Sequence, residues 1–151
     1  MKTIRDIMRP AFLFRVTKHA TVKEAVKTMT DNNVGIVAVM EGEALVGVLS
    51  ERDVVQRVVV RGLDPALTPV EDVMTREVVL GDADEDCRFA MLKMDRANIR
   101  HLPVLSGGRV VSMLSVRDLM RAELAEAGLE LEFLRAYLYE VPASTPLHRR
   151  E

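Results

Sequence analysis

The chain repeats itself. At an offset of 65, residues 21–53 lie over residues 86–118 without a gap, and ten of the 33 positions are identical. The identities are Ala25/Ala90, Met29/Met94, Asn33/Asn98, Val39/Val104, Gly42/Gly107, Val46/Val111, Leu49/Leu114, Ser50/Ser115, Arg52/Arg117 and Asp53/Asp118. Most other pairs keep apolar character, as at Val34/Ile99 and Val37/Leu102. Upstream, Asp6-Ile7-Met8 matches Asp72-Val73-Met74 at an offset of 66, so the loop between has gained or lost one residue. A repeat of this period makes each copy one supersecondary unit that must bury its apolar face against the other.

Each copy reads the same way. Thr21-Val22-Lys23-Glu24 has the pattern of a capping box, and Val22, Ala25, Val26 and Met29 follow at helical spacing. Cys87, Ala90, Met91 and Met94 repeat that spacing, which puts Cys87 on a buried helix face as a small core residue. Asn33 and Asn98, which tolerate the left-handed conformation, end the two helices. Two short apolar runs separated by a turn come next, 34–40 and 44–49, then 99–105 and 109–114, and both pairs read as strand–turn–strand. A second helix is predicted near 51–61 and again near 116–126. Extended lead-ins are predicted at 6–16 and 72–80.

The fold class this predicts is α/β, two tandem β-α-β-β-α repeats packed about a pseudo-twofold axis. The first repeat spans 1–62, a linker 63–70, the second repeat 71–127, and a C-terminal helix and tail 128–151. A single unit of about 60 residues has little core of its own. Packing two together leaves one or two clefts at their interface, a favoured place for a ligand.

Composition narrows the function. A net charge of −2 over 151 residues argues against nucleic-acid binding driven by bulk charge. No Trp, two Tyr and four Phe supply no base-stacking platform. One cysteine cannot form an internal disulfide, which points to a reducing compartment, and the expected location is cytoplasmic. No run approaches the length a membrane helix needs, and the N-terminus lacks the apolar segment of a signal peptide. Neither a Gly-x-Gly-x-x-Gly nor a Walker-type loop occurs. The three His and the Cys show no metal-ligand spacing, and no serine sits in a recognisable nucleophile motif. An enzyme is not expected, and no resident cofactor or metal is implied.

The repeated Ser-x-Arg-Asp carries the chemistry. At a helix start it fits two roles: a cap, with the hydroxyl accepting an amide N–H, or a ligand site. In its context the sequence resembles the CBS domain family, named after cystathionine beta-synthase, which works as tandem pairs called Bateman modules. The residues carrying the resemblance are the Asp-apolar-Met lead-ins, Leu102-Pro103-Val104, and Gly47-Val48-Leu49-Ser50-Glu51-Arg52-Asp53 with its copy Ser112-Met113-Leu114-Ser115-Val116-Arg117-Asp118. It covers about residues 3–124.

The resemblance implies a regulatory module that binds AMP, ADP or ATP between the repeats and forms a homodimer. Asp53 and Asp118 become ribose acceptors, and Ser50 and Ser115 phosphate contacts, with Arg52 and Arg117 adding charge-assisted bonds. Val16, Val37, Val79 and Pro103 are candidates to line the adenine site, each equally suited to plain core packing. His101 is a further candidate for phosphate. Two departures from the family pattern stand out: Ala38 precedes Val39 where Pro is usual, and Ser112 replaces a Gly that would allow a ligand close to the backbone. Two rival readings remain open. One is a nucleotide-independent interaction or scaffold module using the helical dimer surface and the apolar stripe of Leu129, Phe133 and Ala136. The other is an S-adenosylmethionine sensor.

Overall fold

The computed structural model of the chain describes residues 2–128. The predicted C-terminal stripe and the Pro/Ser/Thr tail, residues 129–151, lie outside the described residues.

Both repeats form the predicted units. In the first, β1 (Arg15–Thr17), β2 (Ile36–Glu41) and β3 (Ala44–Ser50) make a sheet in that order, β1 parallel to β2 and β2 antiparallel to β3. In the second, β4 (Gly81–Asp82), β5 (His101–Ser106) and β6 (Arg109–Ser115) repeat the arrangement. Helix α2 (Val22–Asn32) starts with a complete capping box: Thr21 Oγ1 accepts from the Glu24 amide at 3.2 Å, and Glu24 Oε2 accepts from the Thr21 amide at 2.7 Å. It buries Val22, Ala25 and Met29. Helix α4 (Cys87–Ala97) is capped by Asp86 and buries Cys87, Ala90 and Met94. Burial pushes the Cys87 thiol pKa up, which favours the protonated thiol. Both helices end on the expected asparagines, each at φ +52°. The hairpins turn on Gly42 and Gly107, each at φ +58°, where a side chain would be strained.

Two elements differ from the predicted ones. The first lead-in is not one extended segment: α1 (Ile4–Ile7) and a 3₁₀ turn over Pro10–Phe12 precede β1. Pro10 fixes φ and has no N–H to give a ladder, so it starts a turn instead. The helix predicted near 51–61 is α3 (Glu51–Asp53) continuing as a π-helix over Val54–Val59, with Val60 N donating to Val55 O at 3.0 Å. Five valines crowd positions 54–60, and β-branched residues lose rotamer freedom in an α-helix. The copy, α5 (Val116–Glu126), is a regular α-helix.

The lead-ins are exchanged between the repeats. Ile4 and Arg5 donate their amides to Glu85 O and Ala83 O, and Ile4 is fully buried in the core of the second repeat. Conversely, Val70 N donates to Ala20 O, and Val70, Val73 and Met74 complete the core of the first. A third cluster (Ile36, Ala38, Met40, Val48, Val110 and Met113) joins the two sheets along the middle of the molecule.

Gly47 shows what this exchange demands. Val48 and Thr75 trade backbone hydrogen bonds of 3.0 and 2.9 Å, and a Cβ on Gly47 would stand 2.6 Å from Met74 Sδ and 2.8 Å from Thr75 O. The small residue makes room for the incoming lead-in rather than for a ligand. In the copy, Ser112 meets the other lead-in by donating its hydroxyl to Arg9 O at 3.1 Å. Gly47→Val should therefore cost about 1–3 kcal/mol by overpacking and lower the melting temperature by several degrees, at about 2–4 °C per kcal/mol. Thermal unfolding followed by circular dichroism checks this, and an unchanged midpoint would remove the steric role given to Gly47.

Candidate functional site

A cavity of about 420 Å³ opens between the repeats. The β3–α3 corner supplies Ser50, Glu51, Arg52 and Asp53, and the next turn supplies Gln56 and Arg57. The second lead-in contributes Thr75, Glu77, Val78 and Val79. The end of α4 and the start of β5 close the far side with Ile99, Arg100, His101 and Pro103. The sequence places these groups together because the strand leaves the sheet at Ser50 and at once begins a capped helical turn, which turns Asp53 back toward the cleft.

Asp53 is the most firmly held of them. It is buried, and its Oδ2 accepts from the Ser50 amide at 3.0 Å while Asp53 N donates to Ser50 Oγ at 3.2 Å. The cap foreseen as one of two roles is thus formed. Thr75 Oγ1 donates to the same carboxylate at 3.2 Å, and the Arg57 guanidinium stands 3.7 Å from Oδ1. Arg57 also donates to Val73 O at 3.0 Å, so it ties Asp53 to the incoming lead-in. The Ser50 hydroxyl accepts a bond but donates none among the described residues, which leaves its hydrogen for a ligand.

The second Ser-x-Arg-Asp is placed differently. Ser115, Arg117 and Asp118 lie outside this cavity. Asp118 forms its own capping box, and there the Ser115 hydroxyl donates to Asp118 Oδ2 at 2.8 Å. The positions matching Thr75 and Arg57 hold Arg9 and Ala122, so Asp118 lacks both outside partners.

Of the apolar candidates, Val79 and Pro103 line the cavity, and so does His101. Val37 is fully buried in the core of the first repeat, Val16 packs against that core, and neither reaches the cavity. Sequence reasoning missed Arg57, Thr75, Glu51, Glu77 and Arg100 as lining residues. Arg57 had a signal, its four-residue spacing from Asp53 on one helix face. Thr75 had none, because it arrives by the exchange of lead-ins.

Charge in the cavity is mixed. Arg52, Arg57 and Arg100 stand against Glu51, Asp53 and Glu77. Burial, and then the neighbouring Arg100, push the His101 pKa below its ordinary value, while Asp118 and Glu51 oppose the shift. The direction favours the neutral imidazole.

Comparison with known proteins agrees with this geometry. Residues 4–60 and 70–125 each match the CBS domain. An Arabidopsis thaliana protein, the mitochondrial CBS domain-containing protein CBSX3, is 37% identical over 148 residues, covering 90% of this chain and 71% of its own. A putative signal-transduction protein with CBS domains from Burkholderia ambifaria has a TM-score of 0.75 at 30% identity, over 82% of this chain and 92% of that one. The CBS domain protein PAE2072 from Pyrobaculum aerophilum, solved in complex with AMP, has a TM-score of 0.75 at 28% identity, over 84% and 98%. The fold is that of a tandem CBS pair. The chain belongs to the CBS domain family.

His101 gives the site a pH signature. A histidine with a lowered folded pKa binds fewer protons folded than unfolded, so stability is fullest above the unfolded value of about 6.5 and falls as the pH drops below it. Urea midpoints between about pH 7 and pH 5 should decline in the parent and decline less in His101→Gln. Equal slopes in the two proteins would show that His101 titrates as it does in the unfolded chain.

Proposed function

We propose that the cavity binds an adenine nucleotide (AMP, ADP or ATP) and that the CBS pair is a regulatory module with no catalytic step of its own. One observation carries the reading: a single cavity joins the acceptor Asp53 and the available Ser50 hydroxyl of one repeat to Arg100, Val79 and Pro103 of the other. A carboxylate is an acceptor-only group suited to the two hydroxyls of a ribose. Arg52 and Arg100 supply charge-assisted donors for phosphate, with neutral His101 beside them. Ile36, Val48, Val78, Val79 and Pro103 offer an apolar wall to the base. The AMP complex of the Pyrobaculum aerophilum relative supports the assignment.

Ligand held by both repeats favours the conformation in which they are closed on it, and that differential affinity is the regulatory signal. The signal needs a surface to act on. Phe89 and Leu92 of α4, Met120 of α5 and Val59 of the π-helix are 66%, 55%, 53% and 66% exposed. Apolar groups so exposed on helices suit an isologous contact, and we propose a homodimer. Cys87 is buried and unpaired, which suits the cytoplasmic location proposed for the chain.

Glu51 and Glu77 favour one second reading. Both carboxylates line the cavity, and each suits the ammonium of S-adenosylmethionine better than a polyphosphate.

Thermal unfolding with each ligand at about 100 times its dissociation constant should show a stabilisation of about 2.7 kcal/mol. Asp53→Ala should abolish the ligand-induced shift relative to its own baseline, and Asp118→Ala should keep it. Arg52→Ala should weaken nucleotide and spare S-adenosylmethionine. No shift with any adenosine ligand would leave the nucleotide-independent scaffold as the better reading. Light scattering should give a dimer for the parent and a monomer for Phe89→Glu/Leu92→Glu. A monomeric parent would defeat the dimer.

A further inference from the structure

A second cleft of about 500 Å³ lies at the opposite, hairpin end of the sheets. Met40 and Val110 of the inter-repeat cluster form its floor. Three arginines line it: Arg5 of α1, Arg15 of β1 and Arg109 of β6, against one lining carboxylate, Glu43. Arg5 is already engaged, with Nε 2.8 Å from Asp84 Oδ1 and Nη2 donating to Ser106 Oγ at 3.2 Å. Arg15 gives one N–H to Val110 O at 3.3 Å and enters no ion pair among the described residues. Arg109 enters none either.

The repeat does not explain these cations. The positions matching Arg5, Arg15 and Arg109 in the other copy hold Glu71, Leu80 and Ala44. The cationic cleft belongs to one side of the molecule only. Guanidinium groups gathered over an apolar floor repel one another until an anion joins them, and their planar donor forks match the paired oxygens of phosphate and carboxylate. The volume falls within the usual range of small-molecule sites.

We propose that this cleft is a second ligand site, at a different place from the nucleotide cavity, for a small multiply charged oxyanion (a phosphate ester or dicarboxylate) with an apolar body. Arg109 and Arg15 take the charged group, Arg5 and Ser106 shape the wall, and Met40 and Val110 receive the apolar part.

The test is a two-dimensional amide NMR titration of the full chain with pyrophosphate and, separately, with succinate. Saturable shifts are expected at Arg15 and across residues 106–111, and the tighter probe identifies the headgroup. Arg109→Gln should weaken binding by about tenfold, the usual size of one lost charge-assisted contact, and Arg15→Gln/Arg109→Gln should abolish it. Asp53→Ala should leave it unchanged, which separates this site from the nucleotide cavity whatever that cavity binds. The proposal is overturned by shifts confined to residues 50–53 and 99–101, by equal affinity in Arg109→Gln, or by no saturable shift with either anion at millimolar concentration.

Discussion

The backbone pair between Val48 and Thr75 is the contact on which the rest of the molecule depends. It fastens the lead-in of the second repeat to the last strand of the first. Without the exchange of lead-ins it belongs to, neither unit is complete, because Val70, Val73 and Met74 belong to the core of the repeat that precedes them in sequence, and Ile4 to the core of the one that follows. The linker is therefore a structural cross-strap as well as a spacer. The same crossing builds the cavity. It lays Thr75 against Asp53 and carries Glu77, Val78 and Val79 across the mouth, so every wall depends on the two units being joined in this way.

Duplication gives two of everything, and point differences set the two copies apart. Gly47 lets its lead-in come within van der Waals contact of the strand, whereas Ser112 holds its own by a side-chain hydrogen bond. Thr75 and Arg57 give Asp53 two outside partners, and their counterparts Arg9 and Ala122 give Asp118 none. Among the described residues the Ser50 hydroxyl donates no hydrogen bond, while that of Ser115 donates to Asp118. Each difference is small, and together they leave Asp53 and Asp118 in unlike surroundings. The π-helix after Asp53 belongs to the same pattern. Its wider turn sets Gln56 and Arg57 on the cavity, and such irregularities concentrate at functional sites.

Much of this was legible in the sequence because it rests on local rules. The caps at Thr21, Ser50 and Ser115, the left-handed Asn33 and Asn98 and the burial of Cys87 follow from spacing and side-chain chemistry within a few residues. The site was legible where one segment makes it, at Ser50, Arg52 and Asp53. It was not legible where distant segments meet. Val37 sits one residue from the cavity-lining Ile36 along a strand, and strand alternation sends the two to opposite faces. Thr75 has no motif at all, and its role exists only once the lead-ins are exchanged. The Pro10 turn and the π-helix depend on backbone restriction at a proline and on valine crowding, details below the resolution of a hydrophobic pattern.

The two clefts are not mechanically separate. Ile36 and Val48 line the cavity, Met40 and Val110 floor the arginine cleft, and all four belong to one packed cluster between the sheets. Interiors at this density do not deform continuously, so a change in how the sheets sit at one end has to be taken up at the other. Coupling between sites is reciprocal in free energy. Were both proposed sites filled, any coupling between them would run through this cluster and act equally in both directions. The cluster is built of Ala, Val, Ile and Met, and the buried Ser112 beside Met113 ties the first lead-in to it through its bond to Arg9 O. Met40 and Met113, unbranched and adaptable, are the side chains at this joint that can repack most readily when either end shifts.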